Sequence, residues 1–196
     1  MNSVAAAVEA LREGQVIIIT GDRFRRGDMD FAVSALHASA EVINFMATHG
    51  RSLVCLAMTE NRAIRLGIGL MNPGSERQSG RPLGRSIEAR TGVTTGISAA
   101  DRAATVRAAI APNASADDIV SPGHVFPLIT ARGGVSERPA AAEAAIELCH
   151  RAGVGDAAVI CSIMRDDGEM ARIEDIESLV DRFGLAVVDI DDILSS

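Results

Sequence analysis

A chain of 196 residues, 47% of them hydrophobic and 23% charged, carries enough apolar material to fill the core of one compact domain. The net charge of -7 and the lack of Trp and Tyr argue against a nucleic-acid surface, which needs a basic face and stacking aromatics. All 19 basic residues are arginine. Without a lysine amine there is no Schiff-base aldolase, pyridoxal phosphate enzyme or Walker-type nucleotide site, while the planar guanidinium fork suits carboxylates and phosphates as ligands.

In chain order, residues 3–13 place Ala, Val and Leu at helical spacing and end at Gly14, which predicts a first helix. Val16–Ile19 is a β-branched run and reads as a buried strand, followed by a polar loop over 21–30. Residues 32–40 read as strand or mixed structure, 41–49 as a helix stopped by Gly50, 52–58 as a strand and 60–66 as a helical turn. Residues 69–84 concentrate Gly and Pro and predict a long flexible loop. Beyond it, 85–89 reads as a strand, 99–109 as an amphipathic helix, and 123–128 as a turn entering a strand. Residues 140–152 form an alanine-rich helix, 157–164 a strand, 173–183 a helix, and 186–190 a closing strand. Strands and helices alternate without a regular repeat, which predicts a single layered α/β or α+β domain over 1–196.

No apolar run is long enough to cross a bilayer and the N-terminus has no basic leader, so the expected place is the cytoplasm. Cys55, Cys149 and Cys161 sit in apolar contexts without a CxxC pair and read as reduced core thiols. No histidine pair has zinc-ligand spacing.

Three stretches carry candidate chemistry. In Gly92-Val93-Thr94-Thr95-Gly96-Ile97-Ser98, glycine amides and hydroxyls precede a helix, a pattern that cradles phosphate or simply makes a turn with Ser98 as helix cap. His124, between turn residues and a strand, is a candidate acid or base or a structural histidine. The segment 22–30 holds three arginines and three aspartates, either a ligand loop or a solvated set of ion pairs.

Taken together, these stretches resemble the 3,4-dihydroxy-2-butanone 4-phosphate synthases of riboflavin biosynthesis. The resemblance rests on the 92–102 stretch, on Pro122-Gly123-His124-Val125-Phe126-Pro127-Leu128, on Gly133-Gly134-Val135 and on Asp166-Asp167-Gly168-Glu169-Met170-Ala171-Arg172, in order from about Gly14 to Leu194. It implies a homodimer of α/β domains with a mixed sheet, and conversion of D-ribulose 5-phosphate to 3,4-dihydroxy-2-butanone 4-phosphate and formate with magnesium. By the same resemblance, Arg25 and Asp30 match substrate-contacting positions, His124 the essential histidine, Cys55 an active-site cysteine, and Thr94, Thr95 and Arg138 substrate-binding positions.

The family pattern also breaks. The metal-binding glutamate falls on Arg26, the metal-binding histidine on Ala141, the phosphate-contacting threonine on Ala142, and a further essential glutamate on Ser162. The expectation is therefore a diverged enzyme without a protein-held metal. It would keep a phosphosugar or related anion through Arg25, Arg26, Thr94, Thr95, Arg138 and Ser162, with His124, Asp30 and Cys55 as the catalytic set. No cofactor is expected, with magnesium only if the family reaction survives. Arg26, helped by Arg23, Arg81 or Arg85, is the candidate substitute for the cation. The alternatives are a genuine synthase with displaced metal ligands, Asp22 or Asp28 among them, and a non-catalytic paralogue that binds a phosphorylated ligand or partners a related subunit.

Overall fold

The computed structural model describes residues 3–25, 27–71 and 81–196. Its centre is one mixed sheet of seven strands: β1 (Ile17–Thr20), β2 (Asp30–Ser34), β3 (Arg51–Thr59), β4 (Ile87–Ala89), β5 (Ile119–Thr130), β6 (Ala157–Ile163) and β7 (Ala186–Asp189). They lie side by side in the order β4-β5-β3-β6-β2-β1-β7. The pairs β3–β5 and β1–β7 are parallel and the others antiparallel.

Eight α-helices accompany the sheet among the described residues: α1 (Val4–Arg12), α2 (Ala40–Gly50), α3 (Glu60–Arg65), α4 (Ala99–Ile110), α5 (Gly134–Glu137), α6 (Ala141–Ala152), α7 (Ile173–Phe183) and α8 (Ile190–Leu194). Ser3, Ser39, Thr59 and Ser98 each accept an amide of the first helical turn, which explains where α1, α2, α3 and α4 begin. Gly153 and Gly184 end α6 and α7 in the left-handed conformation, which glycine adopts without a Cβ penalty.

Alternate residues of each strand face opposite layers. Ile18, Phe31, Val33, Val54, Leu56, Val159 and Cys161 pack towards α2, α4 and α7. Ile17, Ile19, Ala32, Cys55, Ala57, Leu128, Ala158 and Ile160 pack towards α1, α6 and α8. Helices on both faces of a mixed sheet make the three-layer α/β arrangement that the intermixed sequence pattern predicts.

Three local readings change. Residues 123–128 are not a turn entering a strand: they lie inside the twelve-residue β5, where Gly123 lets the strand press against the backbone of Ile87. The chain does not close on a strand, because Asp189 caps α8 through the Asp191 amide. The described ends of 69–84 are ordered arms: Leu70 bridges Gly84, Leu83 bridges Leu128, and the Pro82 carbonyl accepts the Ile129 amide. Residues 72–80 of that predicted loop lie outside the described residues.

Candidate active site

The register Asp30↔Ser162 between β2 and β6 brings a carboxylate and a hydroxyl together on the α6 side of the sheet. Asp30 is fully buried, and Ser162 Oγ donates to its Oδ1 at 2.7 Å. Arg25, on the loop just before β2, grips both Asp30 oxygens and also donates to Ser162 Oγ at 3.1 Å. Its Nε reaches Asp22 Oδ2 at 3.0 Å, and Asp28 stands 3.8 Å away. Burial works against the Arg25 charge, yet Asp30 and Asp22 raise its pKa above the ordinary guanidinium value. A second guanidinium arrives from the ordered arm before Pro82: Arg81 Nη2 donates to Ser162 Oγ at 2.5 Å and to Asp30 Oδ1 at 3.3 Å.

Beside this cluster lies a small pocket lined by Phe24, Arg81, Leu128, Arg138, Ala141 and Ile160, among others. Arg138 closes one side. It donates to Glu143 Oε1 at 3.1 Å, and its guanidinium lies 5.0 Å from the centre of the Phe24 ring. Burial pushes the Glu143 carboxyl above its ordinary range, and the Arg138 charge opposes that shift. The floor is the start of α6, whose first residue, Ala141, donates its amide to Asp22 Oδ2 at 3.0 Å.

Magnesium, implied by the family resemblance, finds no fitting ligand set here. Asp22 already accepts the Phe24 amide, the Ala141 amide and Arg25. Asp30 is enclosed by Arg25, Arg81 and Ser162. Ala141 has no ligand atom on its side chain, and no group of three His, Cys, Asp or Glu among the described residues could hold a metal ion. Arg26, at the expected position of the other metal ligand, lies outside the described residues.

The remaining predicted residues that the structure describes lie outside this hydrogen-bonded cluster. Cys55 is buried in the α6-facing core, and burial pushes its thiol up to about 12. Thr94 is bonded within the chain. Its amide and hydroxyl and the Gly96 amide all bond Asp101, while Ser98 caps α4. The glycine–hydroxyl loop thus cradles an anion that the chain itself supplies, with Thr95 exposed beside it. His124 Nδ1 is 3.2 Å from Glu88 Oε1, and its side chain is 43% exposed. It stands on β5, three strands from Asp30 on β2, or about 14 Å across the sheet.

Sequence reading missed Glu88 and Glu143 as partners of site residues. Each had a faint signal: a lone acid in the 85–89 strand for Glu88, and an acid in an alanine-rich helix five residues after Arg138 for Glu143.

This arrangement of a mixed sheet and an arginine-lined pocket at the start of α6 defines an α/β domain. The sequence model of the 3,4-dihydroxy-2-butanone 4-phosphate synthase family matches residues 5–196, and the chain belongs to that family. It is 44% identical over 194 residues to a 3,4-dihydroxy-2-butanone 4-phosphate synthase of Pseudomonas aeruginosa, covering 99% of this chain and 53% of that protein. It is 42% identical over 195 residues to the riboflavin biosynthesis protein RibBA of Aquifex aeolicus, covering 98% of this chain and 48% of that one. The chain therefore spans about half the length of these curated relatives. Among solved structures it resembles a 3,4-dihydroxy-2-butanone 4-phosphate synthase in complex with two magnesium ions, with a TM-score of 0.93 and 30% identity over 100% of this chain and 96% of that chain.

Proposed function

We propose that this chain binds a phosphorylated sugar or a related phosphorylated anion in the Arg81–Arg138 pocket and acts on it by proton transfer, as an isomerase, dehydratase or lyase, without a protein-held magnesium ion. The observation that carries the reading is the convergence of Arg25 and Arg81 on Asp30 and Ser162, which engages this buried carboxylate with arginine beside a pocket also lined by Arg138. A guanidinium binds an oxyanion through paired, directional hydrogen bonds. The hydrogen-bonded His124–Glu88 pair, on the same sheet, is the pair that this reading assigns to proton transfer. A homodimer in the cytoplasm belongs to the same reading. Among the described residues no helix is long and apolar enough to cross a membrane.

The second reading is the synthase reaction itself, D-ribulose 5-phosphate to 3,4-dihydroxy-2-butanone 4-phosphate and formate. The comparisons alone favour it over the first, because relatives 38–44% identical over nearly the whole chain bear the synthase name and a related structure is in complex with magnesium. Against it stands the magnesium-ligand test above, in which Asp22 and Asp30 are held by arginine and Ala141 offers no ligand atom.

One experiment separates the two. Proton NMR of D-ribulose 5-phosphate in deuterated water is followed with the protein, with magnesium and with a chelator. Exchange of a carbon-bound proton next to the carbonyl in the presence of chelator supports the first reading. Formate production that requires magnesium replaces it with the second.

A further inference from the structure

We infer that Phe24 is a gate on the pocket: its ring, resting on the Arg138 guanidinium, closes the site, and a phosphorylated ligand enters by turning the ring aside. The inference rests on the phosphorylated-ligand reading above and adds how access to that site is controlled.

The pocket is closed as it stands. Its cavity volume is about 10 Å³, room for one water and too little for a phosphate group. A wall must therefore move before a ligand arrives, and the walls differ in what holds them. Leu128, Ala141 and Ile160 belong to the buried α6-facing core. Arg25 is locked between Asp22 and Asp30. Arg81 holds Asp30 and Ser162, and its arm is pinned on β5 by the Pro82–Ile129 hydrogen bond and the Leu83–Leu128 bridge. Phe24 is held differently. It is 40% exposed and belongs to neither apolar core layer. Its ring centre lies 5.0 Å from the Arg138 guanidinium carbon, within cation–π range.

The backbone at Phe24 stays fixed while the ring turns. The Phe24 amide donates to Asp22 Oδ1 at 2.9 Å, and the Arg23 amide to the Pro139 carbonyl at 3.3 Å. Asp22 also caps α6 through the Ala141 amide, so this turn is tied to the pocket floor. The movement is then a side-chain rotation of an exposed ring, which is fast and disturbs no core packing. Arg138 keeps its other hold when the ring leaves. Its Nη1 still donates to Oε1 of the buried Glu143 at 3.1 Å, so the charge stays paired beside the opened space. An oxyanion takes the place of the ring with a stronger, charge-assisted contact. Because each ligand first displaces the ring, the closed form lowers the apparent affinity by the fraction of protein that is open.

The test is calorimetric titration of the full chain and of Phe24→Ala, in the presence of a chelator, with two five-carbon phosphates. One is D-ribulose 5-phosphate; the other is ribitol 5-phosphate, which lacks the carbonyl and cannot react. Phe24→Ala is expected to bind about two- to five-fold more tightly, the size of an exposed cation–π contact expressed as an equilibrium ratio. A second measurement uses the chain's lack of Trp and Tyr: Phe24→Trp places a single indole at the gate. Its emission is expected to move to longer wavelength at saturating ligand, as the ring turns into water. This measurement stands whether or not Phe24→Ala folds. Affinity that is unchanged or lower in Phe24→Ala overturns the inference. So does indole emission that stays in place or moves to shorter wavelength, since the ring then remains against Arg138 or packs on the ligand. If neither phosphate binds to the wild type or to Phe24→Ala, the phosphorylated-ligand reading falls and takes the gate with it. Binding that leaves the ring in place removes the gate alone.

Discussion

Asp22 caps α6 from across the fold: its Oδ2 accepts the Ala141 amide at 3.0 Å, although the two residues are 119 positions apart. The same oxygen receives Arg25 Nε, so one carboxylate ties the helix start to the arginine cluster on β2 and β6. Ala140, the residue before the helix, offers no side-chain cap of its own. Asp22 supplies what a Ser or Asp there would supply, and it places negative charge at the positive end of the helix.

Asp22→Ala should therefore remove a cap and a buried charge partner together. We expect a loss of about 2 kcal/mol, from the helix cap and one of the carboxylate partners of Arg25, which keeps Asp30. Asp22→Asn should lose clearly less, because its amide oxygen can still accept the Ala141 amide. Urea unfolding of both variants measures the difference.

Asp30 is the more sensitive member of the cluster. Its replacement by alanine leaves Arg25 and Arg81 without their shared carboxylate in a buried setting, and about 3–5 kcal/mol of stability should go with it. Arg81→Ala, in contrast, removes a partly exposed side chain while Arg25 still pairs Asp30, and should cost much less. A double-mutant cycle between Asp30 and Arg81 reads their coupling directly.

The loop folded about Asp101 carries a pH signature. Desolvation works to raise the Asp101 pKa, but hydrogen bonds from Thr94 and Gly96 outweigh it and hold the carboxyl below its ordinary 3.8. A depressed carboxyl stabilises the folded form above its unfolded value, and that contribution is lost as the pH falls through the lower folded value. Slow hydrogen exchange at the Thr94 and Gly96 amides should therefore persist to below pH 3.8 and then fade. In Asp101→Ala the two amides should exchange quickly even at neutral pH.

The three thiols should be silent in the folded protein. Burial pushes Cys55 and Cys149 up to about 12 and Cys161 to about 11. A thiol-specific chromogenic reagent at pH 8, a condition of roughly the ordinary thiol pKa, should label none of them until urea is added. Rapid labelling of Cys55 in the native protein would show a reactive thiol and return it to the catalytic set.

Much of the fold was legible because period and punctuation agree. The β-branched run at 16–19, the Ser98 cap and the alanine-rich 140–152 each announce their element. The length of β5 was hidden behind Pro122 and Gly123, residues that usually mark turns; here Gly123 instead permits close contact with the β4 backbone. At the site, Asp30, Arg25 and Ser162 were named from their places in the chain, and the β2–β6 register is what joins them. The occupant of the Thr94–Gly96 cradle could not be read off, because an Asp at the third position of a helix looks the same whether it faces solvent or turns back into the preceding loop. The same holds for Arg81, whose meeting with Asp30 depends on a sheet pairing far away in sequence.

The most direct measurement of the central claim, that arginines rather than magnesium engage the carboxylates of this site, is proton NMR of the purified chain with D-ribulose 5-phosphate, with and without magnesium. The expected result is no formate signal that depends on magnesium. Formate appearing at an enzymatic rate only when magnesium is present would contradict it, and would mean that Asp22 or Asp30 leaves its guanidinium partners to serve the metal.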